Sequence, residues 1–103
     1  MASSPLKIYA GKDALSHIRD KGLKPDDISM LLGGSSGPKW LVLHGIDNFL
    51  LNSFFENRTK KLHLLGTSAG AWRMACYAMN NSSQAHERLT ESYIEQRYSS
   101  KPF

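Results

Sequence analysis

The chain has 103 residues, thirteen lysines and arginines against nine aspartates and glutamates, and a formal net charge of +4. With 41% hydrophobic and 21% charged residues it has the composition of a soluble globular protein, and no run approaches the roughly 20 apolar residues that span a bilayer. The single cysteine, Cys76, excludes an internal disulfide; with no apolar signal core at the N-terminus, the expected compartment is the reducing cytoplasm.

In chain order, Leu6-Lys7-Ile8-Tyr9 is a possible first strand. Residues 11–23 are predicted to form a helix, with Ala14, Leu15 and Ile18 at helical spacing and Gly22 and Pro25 as stops, packed beside the first core strand. Asp26 and Asp27 form a turn before the strand 28–32. Residues 38–55 carry Leu43, Ile46, Phe49, Leu50 and Phe54 at intervals of three and four, the stripe of a crossover helix with Asp47 on its polar side. A polar loop, 56–61, leads to a second core strand, 62–65, parallel to the first through a right-handed connection. Residues 72–79 continue as a buried helix, and a last helix runs over 84–98 with Leu89, Tyr93 and Tyr98 on one face.

The two core strands end alike, each in a glycine-rich turn that opens a helix. After the second comes Gly66-Thr67-Ser68-Ala69-Gly70, the G-x-S-x-G pattern of a strand-to-helix elbow presenting a nucleophilic serine. A serine on so sharp a turn needs neighbours without side chains, which Gly66 and Gly70 supply. The plainer alternative is a Gly/Ser turn capping a helix. After the first strand comes Gly33-Gly34-Ser35-Ser36-Gly37-Pro38-Lys39-Trp40. Its glycines let backbone N–H groups converge on one point, and Pro38 suits the first turn of a helix. Such a nest holds an anion, in acyl transfer the tetrahedral oxyanion. A phosphate loop would need lysine directly after the last glycine, where Pro38 stands, and no G-x-G-x-x-G occurs.

The stretch Gly34-Ser35-Ser36-Gly37-Pro38-Lys39-Trp40-Leu41-Val42-Leu43, followed by Gly66-Thr67-Ser68-Ala69-Gly70-Ala71-Trp72-Arg73, resembles the N-terminal part of a patatin-like phospholipase of a bacterial-type branch. The resemblance covers most of the chain, with its tight matches in these two blocks. It implies an α/β protein with the three-layer α/β/α patatin-like fold, parallel strands and crossover helices, of which residues 1–103 are the N-terminal part of a single domain. It also implies a lipid acyl hydrolase with a Ser–Asp dyad and no cofactor. Ser68 would be the nucleophile, and the oxyanion donors would come from the backbone around Gly33, Gly34, Ser35, Ser36 and Gly37. The family's more familiar loop reads Gly-Gly-Gly-x-Arg-Gly, so the choice of donors among these five stays open. The family's aspartate lies in an Asp-Gly-Gly or Asp-Gly-Ala motif, and this chain has no Asp-Gly. Asp13, Asp20, Asp26, Asp27 and Asp47 all precede Ser68, and none is assigned as base. The expectation is a piece of a longer enzyme; the alternative is a non-catalytic product acting as a binding module.

Expected partners are a lipid or ester substrate and, through Arg58, Lys60 and Lys61, an anionic membrane surface, with a solvated loop as the simpler reading of that cluster. Scattered charge without interleaved aromatics argues against nucleic acid. His17, His44, His63 and His86 show no metal spacing. His63 is read as a core or surface histidine. His86 lies where an α/β-hydrolase would place its triad histidine, but no acidic residue separates it from Ser68. Lys39 and Arg73 flank the elbow as exposed helix starts or as holders of an anionic substrate. Trp40, Trp72 and Phe54 are candidates for an acyl pocket. The sequons at Asn57 and Asn80 are read as unused.

Overall fold

The computed structural model describes residues 6–97. Its helices and strands alternate around a two-stranded parallel sheet, a mixed α/β architecture. Strand β1 (Met30–Gly33) pairs in parallel with β2 (His63–Gly66), Met30 opposite His63 and Gly33 opposite Gly66. Both strands lie where the apolar runs predicted them, shifted by one or two residues toward the glycines. Residues 6–10 form no strand, so the possible first strand is not part of the sheet.

Helix α1 (Lys12–Lys21) matches the predicted segment, and Gly22 ends it at φ 75°, where its N–H bonds the Ile18 carbonyl. It buries none of its residues, because only Leu15 and Ile18 are even partly covered. The predicted crossover helix is one helical path of three pitches: a 3₁₀ segment (Gly37–Leu43), α2 (His44–Phe49) and a π segment (Leu50–Phe54). Its inward face differs from the expected stripe. Asp47 is wholly buried, whereas Ile46 and Phe49 are exposed. The polar-side reading of Asp47 is therefore overturned. Position 47 lies four residues after Leu43 and three before Leu50, on the same helical face, and its neighbours supply the partners that a buried carboxylate requires.

Helix α3 (Ala69–Tyr77) buries Gly70, Arg73, Met74 and Cys76, while Trp72 is 68% exposed and so is not part of a buried helix face. Helix α4 (Ser82–Glu95) turns His86 and Thr90 inward, and Tyr98, expected on its face, lies outside the described residues. The alternation along the strands explains how the layers stack. Leu31, Gly33, Leu64 and Gly66 face α3; Met30, Leu32, His63 and Leu65 point the other way and are exposed, Leu32 by 65% and Leu65 by 59%. One face of a parallel sheet, normally covered on both, is thus bare among the described residues. The radius of gyration, 16.2 Å, exceeds the roughly 13 Å of a compact domain of this length. Among the described residues, only Trp40, Met74 and Cys76 are buried apolar side chains.

Candidate active site

The site begins with three glycines. The α3 backbone passes so near the strand ends that a Cβ on Gly70 would lie 2.0 Å from the Gly33 carbonyl oxygen, and one on Gly66 would lie 2.5 Å from the Ala71 Cα. A Cβ on Gly33 would meet the Gly70 carbonyl at 2.7 Å. No side chain fits these distances, so Gly33, Gly66 and Gly70 allow the close approach of helix to sheet. The Thr67 N–H donates to the Gly33 carbonyl at 3.0 Å and ties the elbow to the end of β1.

Ser68 stands between β2 and α3 at φ 53°, ψ −125°, the one non-glycine residue with positive φ among those described. Such a backbone costs of order 1–3 kcal/mol and persists only where its surroundings impose it. Here the constraints are the two flanking strand–helix contacts and the first helical bonds, Gly70 N–H to the Thr67 carbonyl and Ala71 N–H to the Ser68 carbonyl, both 2.9 Å. Ser68 is exposed and borders a cavity of about 400 Å³ that it shares with Gly37, Ala69, Trp40 and Trp72, closed on the α4 side by Leu89 and Tyr93. Trp40 meets Tyr93 edge to face at 5.3 Å. Of the three aromatics Trp40, Trp72 and Phe54, the first two border this cavity; Phe54 packs with Phe49 and Phe55 instead.

The five residues of the proposed oxyanion loop are divided by the structure. Gly33 is buried beneath α3 as the last residue of β1. Gly34 and Ser35 are exposed, and Ser36 carries a buried hydroxyl without a hydrogen-bond partner among the described residues. Gly37, at φ 56°, is the one that shares the cavity with Ser68.

Behind the cavity wall lies a buried polar cluster that sequence reasoning missed. Arg73 donates to Asp47 twice, Nε to Oδ2 at 2.9 Å and Nη2 to Oδ1 at 2.7 Å. The Tyr77 hydroxyl donates to Oδ1 at 2.8 Å and His86 Nε2 to Oδ2 at 3.1 Å. Burial pushes the Asp47 carboxyl up, but the bonds from Arg73 and Tyr77 and the charges of Arg73 and His86 outweigh it and hold the group below the usual carboxylate range. Burial and the bond to Asp47 push the Tyr77 phenol far above its ordinary value. Arg73 is 8% exposed and is no holder of substrate; its bond to Asp47 also raises its affinity for its proton. His86 is wholly buried, stacks on His44 at 5.3 Å and lies edge-on to Trp40 at 6.4 Å. Neither Asp47 nor His86 borders the cavity of Ser68. The available signals were the place of Asp47 in the apolar stripe and the four-residue spacing of Arg73 and Tyr77 on α3.

The basic loop is also partly structural. Arg58 donates to the carbonyls of Pro25 and Lys61, and Asp26 accepts from the Thr59 hydroxyl and from the N–H groups of Thr59 and Lys60. These reciprocal bonds join the turns that lead into the two strands and help set their register. His63 is exposed on the uncovered sheet face. No helix among the described residues is long and apolar enough to cross a membrane. No protein-family model, no curated protein and no solved structure matches this chain.

Proposed function

We propose that this chain carries the nucleophile and part of the oxyanion site of a patatin-like serine acyl hydrolase, with the three-layer α/β/α fold of that family. The observation that carries the reading is the backbone of Ser68, held at φ 53°, ψ −125° between a strand end and a helix start by glycine contacts on both sides. A nucleophile elbow requires that combination: a strained turn, a side chain projecting into a cavity, and N–H groups of the following helix turned toward the same space. Ser68 attacks the ester carbonyl, and the charge that develops on the carbonyl oxygen is stabilised by the N–H of Ala69, the first of α3, and by that of Gly37 in the facing loop. The positive end of the nine-residue helix adds to the same field. The base takes the Ser68 proton and passes it to the ester's alcohol oxygen as that C–O bond breaks; water, deprotonated by the same base, then cleaves the acyl-enzyme to the free acid and restores the Ser68 hydroxyl.

The base is an aspartate outside the five of this chain. Asp47 has its oxygens occupied by Arg73, Tyr77 and His86; Asp26 is bound to Thr59 and Lys60 of the loop before β2 and Asp27 to its own turn; Asp13 and Asp20 lie on exposed positions of α1. That occupancy of Asp47 also favours a second reading, in which these residues by themselves form a binding module with an unactivated serine. Labelling with a fluorophosphonate separates the two. Modification at Ser68, lost in a folded Ser68→Ala variant, supports the hydrolase. A folded chain left unlabelled means that no group of these residues activates Ser68, and the hydrolase reading then depends on the aspartate supplied from outside them. Any lipid contact through the basic loop rests on Lys60 and Lys61, since the Arg58 guanidinium is bound to backbone.

A further inference from the structure

A second cavity, of about 250 Å³, lies between α3 and α4, and Trp72 and Leu89 border both it and the cavity of Ser68. Ala75 and Cys76 of α3, Met79 just beyond that helix and Ala85 of α4 make its lining apolar, with Asn81 and Arg88 as the polar residues. We propose that this cavity is a binding site for a small aromatic monocarboxylate, its ring against Trp72 and Met79 and its carboxylate on Arg88. The site does not depend on the chemistry of Ser68.

Charge, shape and size carry the proposal together. Among the described residues Arg88 is the one charged residue of the lining, and it makes no ion pair there; Glu87, Glu91 and Glu95 of the same helix do not border the cavity. Asn81, the N-cap of the 14-residue α4, borders it too, so the positive end of that helix and the guanidinium give the space one sign of charge. The Cys76 thiol in the lining is pushed up by burial and by the charge of Asp47, and adds no competing negative charge at neutral pH. A carboxylate matches the guanidinium fork, and a second anionic group would stay unpaired against apolar walls. The indole of Trp72, 68% exposed, offers a ring something beyond area burial. Met79, 53% exposed, offers a thioether that also favours an aromatic partner. At roughly 30 Å³ for each water-sized unit, about 250 Å³ takes on the order of eight non-hydrogen atoms, a single ring and its short acid arm.

Titrating the ¹⁵N-labelled chain with phenylacetate, followed by amide chemical shifts, tests the site without any turnover. Saturable shifts are expected at Ala75, Met79, Ala85 and Arg88, with a Kd on the order of 0.1–1 mM, the range open to a ligand of about ten non-hydrogen atoms. Phenylacetamide, which has the same shape and no charge, should bind at least about tenfold more weakly, and cyclohexylacetate, which keeps the charge and loses the ring, about threefold more weakly. Arg88 and Ala75 are exposed, so both are open to substitution. Arg88→Gln should weaken phenylacetate to the level of the amide while leaving the amide unchanged, and Ala75→Leu, which fills the cavity, should abolish the shifts; circular dichroism establishes that each variant is folded. Shifts centred on Gly37, Ser68 and Ala69 would put the ring in the other cavity and overturn the proposal. No saturable shift, equal binding of acid and amide, equal binding of the saturated acid, or a Kd indifferent to Arg88→Gln would each overturn it as well. None of these outcomes bears on fluorophosphonate labelling of Ser68, so the site and the hydrolase reading stand or fall separately.

Discussion

Asp47 and Arg73 face one another through two near-parallel hydrogen bonds, 2.9 and 2.7 Å long, with the carboxylate wholly buried. The pair joins α2 to α3, and through Tyr77 and His86 it draws in α4, so one charged cluster fixes three helices around a small apolar core. Two forked hydrogen bonds satisfy a carboxylate in the way only arginine can. Arg73→Ala leaves that carboxylate buried and uncompensated. Urea unfolding should show a loss of about 3–5 kcal/mol, and Arg73→Lys a smaller one, since charge is kept and the fork is lost.

The elbow allows a test with an internal control. Gly70→Ala places a methyl 2.0 Å from the Gly33 carbonyl, so helix and sheet must separate, and a destabilisation of about 3 kcal/mol or more is expected. Gly45, inside α2, has open space at its Cβ position, and Gly45→Ala should stabilise by about 0.5–1 kcal/mol. Thermal melts of the two variants should move in opposite directions.

Strain at Ser68 has its own signature. Ser68→Gly relieves the positive φ while Ser68→Ala keeps it, so the glycine variant should be the more stable of the two by about 1 kcal/mol. Equal stabilities in denaturant would mean that the turn stores no strain. Both variants should be inert to fluorophosphonate.

Asp26 gives a pH dependence of known sign. The Thr59 hydroxyl, with the backbone N–H groups of Lys60 and Thr59, holds its carboxyl at about 2 against 3.8 for the free side chain. A folded-state value below the unfolded one means that its contribution is complete above about pH 4 and disappears as pH falls toward about 2. Denaturant midpoints between those limits should drop for the wild type and drop less for Asp26→Asn, and carbon-detected NMR titration should place the carboxyl near 2.

Parts of this arrangement were legible in the residues alone. Strong local signals, an apolar run ending in glycine and then helical spacing, located β1, β2 and the Ser68 turn to within one or two residues and α3 to within three, because backbone sterics act over a few neighbours. Leu6-Lys7-Ile8-Tyr9 has the same local look as a strand, yet whether it pairs depends on a partner edge that lies elsewhere in the chain. The stripe of residues 38–55 identified a helix but not its inward side, since Phe49 and Ile46 compete with Asp47 for that side on hydropathy and lose.

What the sequence by itself determined is the parallel pair of strands and the serine set between Gly66 and Gly70, because glycine spacing and strand length are local constraints. Only the tertiary structure decided that Asp47, Arg73, Tyr77 and His86 meet. A buried carboxylate is tolerated when donors from two other helices converge on it, and that convergence, across separations of 26 to 39 residues, is a property of packing that local pattern does not contain.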